Sequence, residues 1–297
     1  MSSMLAAQQR QDPNQLSILI EKNLEIPTIP VVAQRAIKEM ANPDVNVSHL
    51  TRILAEDQGL TARVLKVANS PLYAQAREVK NLQQAAMIVG LNTLRGIVVS
   101  VANRMIYKRF GKVEHAMWEH SVAVAVAAHA IAVKKKLPHR DESFVAGLMH
   151  DVGKVVMNNG ARDAFAQSVQ LAAEEGLTSI EAEHQVFGFS HVDVGGLLLE
   201  RWALSPRLGQ AVFLHHDLEL VSTVAEGNED LVYATNLADK IAHTLQIGTL
   251  VPPKDEPEPI DLAEEESASY FDLDTTAMAD LVVQVKELYE AQHQAMV

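Results

Sequence analysis

Histidine and aspartate residues recur within apolar, helix-like segments in the second half of the chain. His150-Asp151 is the clearest case, because it follows FVAGLM and precedes VGKVV, so two polar side chains interrupt a core-like run. A buried polar or charged group without a partner costs several kcal/mol. Imidazoles and carboxylates that approach one point from different helices can meet this cost by binding a divalent metal. The candidate ligands are His120, His150, Asp151, His191, His215, His216 and Asp239.

Each candidate also has an ordinary interpretation. A single histidine is more often a satisfied core or surface residue than a ligand, and Asp239 in NLADKIAH fits an acid on a helix surface. Lys154 follows Asp151 by three residues, which fits a local ion pair. Spacing alone therefore leaves a metal site and an ordinary polar network both open. The remaining histidines are interpreted as ordinary residues: His49, His115, His129, His139, His184, His243 and His293.

The composition indicates a globular protein with an aliphatic core. The chain has 297 residues, of which 48% are hydrophobic, 21% are charged and 5% are aromatic. It has no cysteine, which excludes disulfides and thiolate metal ligands. No uncharged apolar run reaches the roughly 18 residues of a membrane span, and the first residues lack the apolar stretch of a secretory signal. We therefore expect a cytoplasmic protein that is not inserted in a membrane.

The negative charge is concentrated near the C-terminus. The net charge is −13, and residues 252–290 hold twelve Asp or Glu against two Lys, a net of −10. A protein that binds the phosphate backbone of nucleic acids needs a basic face, so this balance argues against nucleic acid as a partner. The Pro- and Glu-rich segment at 251–271 predicts a solvated acidic linker.

Helical periodicity runs from Leu16 onward with little strand-like alternation, which predicts an all-α fold. Asn92 is the predicted N-cap of one helix. Ser143 to Val156 is predicted as one helix, and Thr275 to Met296 as an amphipathic helix that packs back on the body or forms a homodimer contact. The predicted organisation is a flexible N-terminus (1–15), an N-terminal helical subdomain (16–111), a helical metal-site domain (112–250), the acidic linker (251–271) and a C-terminal helix (272–297).

The segment GLMHDVGK, residues 147–154, resembles the signature of the HD metal-dependent phosphohydrolase superfamily. Proteins of that superfamily bind metal through a His, a His-Asp doublet and a distal Asp. The resemblance places these ligands at His120, His150-Asp151 and Asp239.

Further positions resemble the extra ligands of the dinuclear members of that superfamily. These are His191 and the pair His215-His216. The resemblance therefore implies two divalent ions, which are iron, manganese or zinc. It also implies catalytic roles for Asp151 and for Lys154, whose ammonium can contact a phosphate oxygen as a point charge.

Several independent segments narrow the resemblance to the HDOD (HD-related output domain) family, over residues 16 to 248. This family implies an N-terminal helical subdomain packed on an HD-like helical domain. The segments are PTIP (27–30), LTRILAEDQGLTARVLKVANSPLY (50–73), NLQQAAMIVGLNTLRGIVVSVA (81–102), FGFSHVDVGGLLLERWALSP (187–206) and LHHD (214–217).

Two departures argue against one enzymatic activity, the hydrolysis of cyclic-di-GMP. Phosphodiesterases of the related HD-GYP group continue after the His-His pair with a Gly-Tyr-Pro loop, whereas this chain continues with DLELVSTVAEG. Trinuclear members also carry a Glu one helical turn before the first His, and that position here is Ala116. A smaller departure is Asp57-Gln58, where the family often has Asp-Pro.

Two functional interpretations from different classes follow. The favoured one is a bacterial signal-transduction regulatory module that has retained its metal site and contacts a protein partner of its pathway. The alternative is a metal-dependent phosphohydrolase acting on a nucleotide or another phosphate ester. We expect the groove between the two subdomains to receive the partner or a small ligand.

Overall fold

The computed structural model describes residues 13–42, 44–71, 78–138, 140–225, 227–250 and 261–296. Within these ranges the chain forms helices and loops and no β-strand, which confirms the predicted all-α fold. The N-terminal half consists of α1 (Pro13–Asn23), α2 (Val31–Met40), α3 (Val47–Ala55), α4 (Gln58–Ala68), α5 (Leu82–Ile88) and α6 (Leu91–Met105).

Short polar side chains start several of these helices. The Asp57 carboxylate accepts the Leu60 N–H at 2.9 Å, and the Asn81 amide oxygen accepts the Gln84 N–H at 2.8 Å. Such bonds satisfy backbone donors that the first helical turn leaves free. Asn92 was predicted to act in the same way, but this is wrong. Gly90 precedes α6 with a φ of 83°, a conformation that favours glycine, and Asn92 lies inside the first turn.

The second half is built around one long helix, α7 (Lys112–Lys135). This helix is apolar on nearly all sides, and by length and composition it could cross a membrane. However, 78% of its most apolar 18-residue stretch is buried within the protein. It is therefore the central core helix. Around it lie α8 (Arg140–Met149), α9 (Val152–Gly160), α10 (Arg162–Glu175), α11 (Ser179–Phe187), α12 (His191–Arg201), α13 (Pro206–Leu214), α14 (Val221–Val224) and α15 (Glu229–Thr244).

The N-terminal half joins this assembly mainly where α6 packs on α8. A Cβ on Gly96 would meet the Val145 side chain at 2.9 Å, so the two helices approach closely at this glycine. The Asn103 amide donates to the Leu148 carbonyl oxygen at 3.2 Å. Buried apolar residues of both halves form one continuous core. Helix α8 is thus fixed along its length before it reaches the His150-Asp151 doublet.

The predicted helix from Ser143 to Val156 is two helices. α8 ends at Met149 and α9 begins at Val152, with Asp151 at φ −102° and ψ 14° between them. A Cβ on Gly153 would lie 2.0 Å from the His191 carbonyl oxygen, so a glycine at this position lets α9 start directly against α12. The doublet therefore lies at a helix junction.

The C-terminal region packs on α7 and α15. Residues 1–12 and 251–260, within the predicted flexible N-terminus and linker, lie outside the described residues. The rest of the predicted linker is folded: a short 3-10 turn (Leu262–Glu264) and α16 (Glu266–Tyr270) bury Leu262, Ala268 and Phe271. α17 (Thr275–Met296) buries Leu281 and Val285 in the same small core, as its amphipathic pattern predicts.

Candidate metal centre

The helix junction and two neighbouring helices bring together the first set of predicted ligands. His120 from the middle of α7 places Nε2 3.0 Å from Oδ1 of Asp239 on α15. His150 Nε2 lies 3.6 Å from the same oxygen and 3.4 Å from Asp151 Oδ2. All four side chains are at least nine-tenths buried. The ligand atoms of His120, His150 and Asp151 lie within 4.8 Å of one another, close enough to share one ion, and Asp239 adjoins them through His120.

The second set gathers on the other oxygen of Asp151. His191, the first residue of α12, places Nε2 3.2 Å from Asp151 Oδ1, and His215 after α13 places Nε2 3.9 Å from it. The His216 ring lies 4.0 Å from the His215 ring and 5.2 Å from the His191 ring, measured between centroids. Asp151 thus lies between the two sets and offers one oxygen to each.

The orientation of three imidazoles indicates which nitrogen is available to a metal. Nδ1 of His150 faces the Gly147 carbonyl oxygen at 2.7 Å, Nδ1 of His215 faces the Val212 carbonyl oxygen at 2.8 Å, and Nδ1 of His191 faces a carboxylate at 2.7 Å. A ring nitrogen facing such an acceptor carries the proton, so in the neutral ring the lone pair is on Nε2.

Those same Nε2 atoms are buried without a hydrogen-bond partner. This holds for His150, His191 and His215, and also for Oδ1 of Asp151. Buried polar atoms are almost always satisfied, so four orphaned atoms that converge on one point need an explanation. A metal ion would supply it, because a ligating histidine characteristically donates its other nitrogen to a carbonyl or carboxylate. The donor set of nitrogen and oxygen fits divalent iron, manganese or zinc.

The charges at the junction compensate one another without a metal. Burial lowers the pKa of His150, but the charges of Asp151 and Asp239 outweigh this and raise it to about 10. Burial raises the pKa of Asp151, and Lys154 and His150 outweigh that effect and hold it well below its usual range. Both carboxylates are therefore ionised and remain available to cations.

Lys154 takes the ordinary interpretation given to it from the sequence. Its Nζ lies 2.7 Å from Asp151 Oδ2, in the predicted i,i+3 ion pair. Burial opposes its charge, but Asp151 raises the pKa of Lys154, so the ammonium is retained. Its side chain also lines a cavity beside the candidate ligands. The phosphate contact of Lys154 and the catalytic role of Asp151 stay predictions.

All seven predicted ligands belong to three overlapping clusters, and within each cluster the ligand atoms lie within 4.8 Å of one another. One further histidine was left among the ordinary residues. His243 Nε2 lies 3.3 Å from Asp239 Oδ1, and the residue completes a cluster with His120 and Asp239. The i,i+4 spacing of Asp239 and His243 on one helix was the available signal, since such residues share a helix face.

Glu183 was also missed. It is buried on α11, and its Oε2 accepts both the backbone N–H and the Nδ1–H of His191, each at 2.7 Å. It therefore fixes the ring of a predicted ligand. No spacing rule connects the two residues, because the turn after α11 separates them.

A cavity of about 500 Å³ opens beside these ligands. It is bordered by Asp151, Lys154 and His216 on one side and by α10 on another. The groove between the two halves, where a ligand was expected, holds a cavity of only about 40 Å³, bordered by Arg95, Glu142 and their neighbours. The side-chain packing and the Arg95–Glu142 ion pair at 3.0 Å fill that groove. Of these two spaces, formed by described residues, the one large enough for a small ligand is therefore beside the candidate metal ligands.

Comparisons with known proteins agree with this architecture. The HDOD domain family matches residues 26–218, which is more than half of the chain. An HDOD domain protein of unknown function from Geobacter sulfurreducens is 29% identical and superposes with a TM-score of 0.77 over 95% of this chain and 97% of that one.

Two proteins from Shewanella amazonensis share the fold at lower identity. One, proposed to be a phosphohydrolase, is 22% identical with a TM-score of 0.71, over 94% of this chain and 98% of its own. The other, proposed to be a metal-dependent phosphohydrolase, is 22% identical with a TM-score of 0.57, over 93% and 96%.

An uncharacterized protein of Treponema pallidum is 23% identical over 215 residues, 69% of this chain and 42% of its own length. The chain thus spans about two fifths of this relative. The matched segment at 26–218 contains the whole helix junction and six of the seven predicted ligands, all except Asp239. The sequence motifs, the helical architecture and the family match lead to one conclusion, that this chain belongs to the HDOD family.

Proposed function

We propose that this protein is a signal-transduction regulatory module of the HDOD family that holds two divalent metal ions. The observation that carries this proposal is the set of orphaned, buried atoms on His150, His191, His215 and Asp151. Removing such atoms from water without a partner costs about 1–3 kcal/mol each, so a centre of this kind is stabilised by an ion that all of them can ligate.

The two clusters on either side of Asp151 suggest the division of the ligands. His120, His150 and Asp239 would hold one ion, and His191, His215 and His216 the other, with one Asp151 oxygen for each. Bound divalent ions would neutralise negative charge on a phosphate and lower the pKa of a bound water. The protein contributes ligands that are fixed in orientation by Gly147, Val212 and Glu183.

A regulatory role is supported by what surrounds the centre. The ligands come from α7, the α8–α9 junction, α12, α13 and α15, so metal binding ties together most of the C-terminal half. Lys154 is paired with Asp151. Ala116 stands where trinuclear members of the superfamily carry a glutamate, and its carbonyl oxygen packs against the turn at Gly248. We propose that metal occupancy sets the stability of this half and hence its contact with a protein partner in the cytoplasm.

A second candidate function, a metal-dependent phosphohydrolase, is favoured by the cavity. Asp151, Lys154 and His216 border a space of about 500 Å³, within the usual range for small-molecule sites. The two Shewanella proteins that share the fold are proposed to have this class of activity. A regulator does not need an open space of this size beside its metal.

Metal content and turnover, measured on the same preparations, separate the two functions. We expect two ions per chain by elemental analysis, loss of metal in His150→Ala, and full metal content in the surface control His115→Ala. Absence of metal from the parent protein would overturn the proposal. A screen of phosphate monoesters and diesters with added manganese or iron then decides between the candidates. Turnover that His150→Ala abolishes would establish the hydrolase, and metal without turnover supports the regulator.

A further inference from the structure

The cavity beside the metal centre has an apolar wall that the metal ligands do not explain. This wall comes from α10 and the turn that follows it, and most of its side chains are only partly buried. Close-packed interiors rarely leave voids larger than a water molecule, so a lined space of about 500 Å³ is not a packing defect. The wall residues are Phe165, Val169, Ala172, Ala173 and Leu177, joined by Met117 and Leu250.

The wall offers few polar groups. The hydroxyl of Ser168, which also borders the cavity, donates to the Phe165 carbonyl oxygen at 2.8 Å and is buried. Ser179 and Thr249 carry the other hydroxyls among the described lining residues. Specific recognition of a nucleobase or a sugar needs several placed donors and acceptors, because a ligand's polar groups must be satisfied when they are buried. The described wall does not supply such a set.

The ionisable groups of the described lining gather around the candidate ligands, where Lys154 pairs with Asp151 and Glu183 bonds to His191, and this is called the metal end of the cavity. This end carries the ammonium of Lys154 and, when metal is bound, the charge of the ions. It is therefore complementary to an anionic head group such as a phosphate. The members of this set are His120, Asp151, Lys154, Glu183, His216 and His243.

We propose that this cavity binds a small phosphate monoester whose organic group is apolar, with the phosphate at the metal end and the hydrocarbon against α10. The inference rests on the proposed metal centre and adds the class of ligand. The volume of the cavity fits a small molecule. The pairing of a charged end with an apolar wall selects against a nucleotide, because its base and sugar would lose hydrogen bonds to water.

The test is a binding series on the full-length, manganese-loaded protein, measured by isothermal titration calorimetry. The probes are methyl, butyl and hexyl phosphate, with adenosine monophosphate as the polar comparison. Each added methylene that leaves water should tighten binding about fourfold, which corresponds to about 0.8 kcal/mol. We expect hexyl phosphate to bind at least about 50-fold more tightly than methyl phosphate, since part of its chain stays exposed. Equal affinities for the alkyl phosphates, or tighter binding of adenosine monophosphate than of hexyl phosphate, would overturn the inference.

A variant pair on α10 locates the hydrocarbon. Val169→Asn places an amide in the wall and should remove most of the gain from methyl to hexyl phosphate, while binding of methyl phosphate changes less than threefold. Val169→Thr keeps the side-chain shape and should give a smaller loss in the same direction. Ala166→Asn makes a comparable change on an exposed position of the same helix and should leave the series unaltered. An unchanged series in both Val169 variants would contradict the proposed position.

Failure of this inference is distinguishable from failure of the metal proposal. Metal content is measured on each sample before titration, so absence of metal refutes the proposed centre and, with it, the ligand assigned to that centre. Two bound ions with no dependence on alkyl chain length would leave the metal centre standing and refute only the ligand class.

Discussion

The substitution Glu183→Gln isolates the contribution of a carboxylate that fixes one ligand without touching the metal. Glu183 Oε2 accepts two hydrogen bonds from His191, one from the backbone N–H and one from Nδ1–H, both at 2.7 Å. Glutamine has nearly the same shape and its carbonyl oxygen can accept both bonds. The change therefore removes the negative charge behind the imidazole and leaves the packing in place.

The expected magnitudes follow from these two bonds. A hydrogen bond to a charged group contributes about 1.5–3 kcal/mol, and one between neutral groups about 0.5–1.5 kcal/mol. Two weakened bonds should lower the free energy of unfolding of the metal-free protein by about 2–3 kcal/mol. Loss of a carboxylate behind a ligating histidine also makes Nε2 less basic, and such changes typically weaken metal binding about 10- to 100-fold.

Urea unfolding in chelator measures the first quantity, and competition of zinc or manganese against a fluorescent chelator measures the second. Glu181→Gln is the matched control, because Glu181 lies on the same helix, is exposed, and bonds only to Thr178 in a capping box that glutamine preserves. The Glu183→Gln variant could lose stability and yet bind metal within twofold of the parent protein. That result would refute a role for Glu183 in orienting a ligand and would leave it a purely structural residue.

Three further predictions concern the framework. Chelation should lower the free energy of unfolding, and saturating metal at about 100 times its Kd should restore about 2.7 kcal/mol, measured by thermal unfolding; an unchanged midpoint would contradict a metal centre. Gly248→Ala should be strongly destabilising and weaken metal binding, because the φ of Gly248 is 68° and a Cβ there would lie 2.4 Å from the backbone nitrogen of His120. The control Gly176→Ala, where φ is 67° and the surrounding space is open, should lower stability by only about 1 kcal/mol. Leu281→Ala should cost about 2–5 kcal/mol in urea unfolding and the exposed Val283→Ala under about 0.5 kcal/mol, while equal small effects would show that α17 does not pack on the body.

Much of the fold could be predicted because its helices carry local signals. Helix α17 has the bounds, Thr275 to Met296, that its amphipathic spacing predicts. The junction at His150-Asp151 carried no such signal, since an unbroken apolar run continues on both sides of it. What accompanies the break is a tertiary contact, the close approach of Gly153 in α9 to the His191 carbonyl. Periodicity within one segment cannot reveal a contact with a helix that lies forty residues further along the chain.

The folded part of the predicted linker has the same cause. Its proline and acidic content indicates solvent exposure, and Asp261 and Glu264 are indeed exposed. Leu262, Ala268 and Phe271 nevertheless enter the small core between α7, α15 and α17. Three apolar residues in an acidic segment are too few for a periodic pattern, so their burial depends on a surface that only the assembled helices create.

The candidate ligands were more predictable than the residues that position them. His150, Asp151 and the other predicted ligands interrupt apolar segments, and that contrast is visible in the sequence. Glu183 lies in the polar helix SIEAEHQVF, where a glutamate is unremarkable, and its role depends on how α11 and α12 pack across a short turn. A polar residue in a polar segment gives no contrast, so positioning residues of this kind are found only from the structure.

The position of α8 favours regulation over turnover as the use of the proposed metal centre. Its C-terminal end carries the doublet, and its N-terminal end carries Glu142, which pairs with Arg95 at 3.0 Å and with Arg207 at 3.2 Å. A ten-residue helix is about 15 Å long and behaves as a stiff element. An ion at His150 and Asp151 would therefore fix one end of a rod whose other end ties the N-terminal half to α13. Hydrolysis needs no such connection, whereas a signalling module needs a physical element that both its metal site and its partner surface can bias.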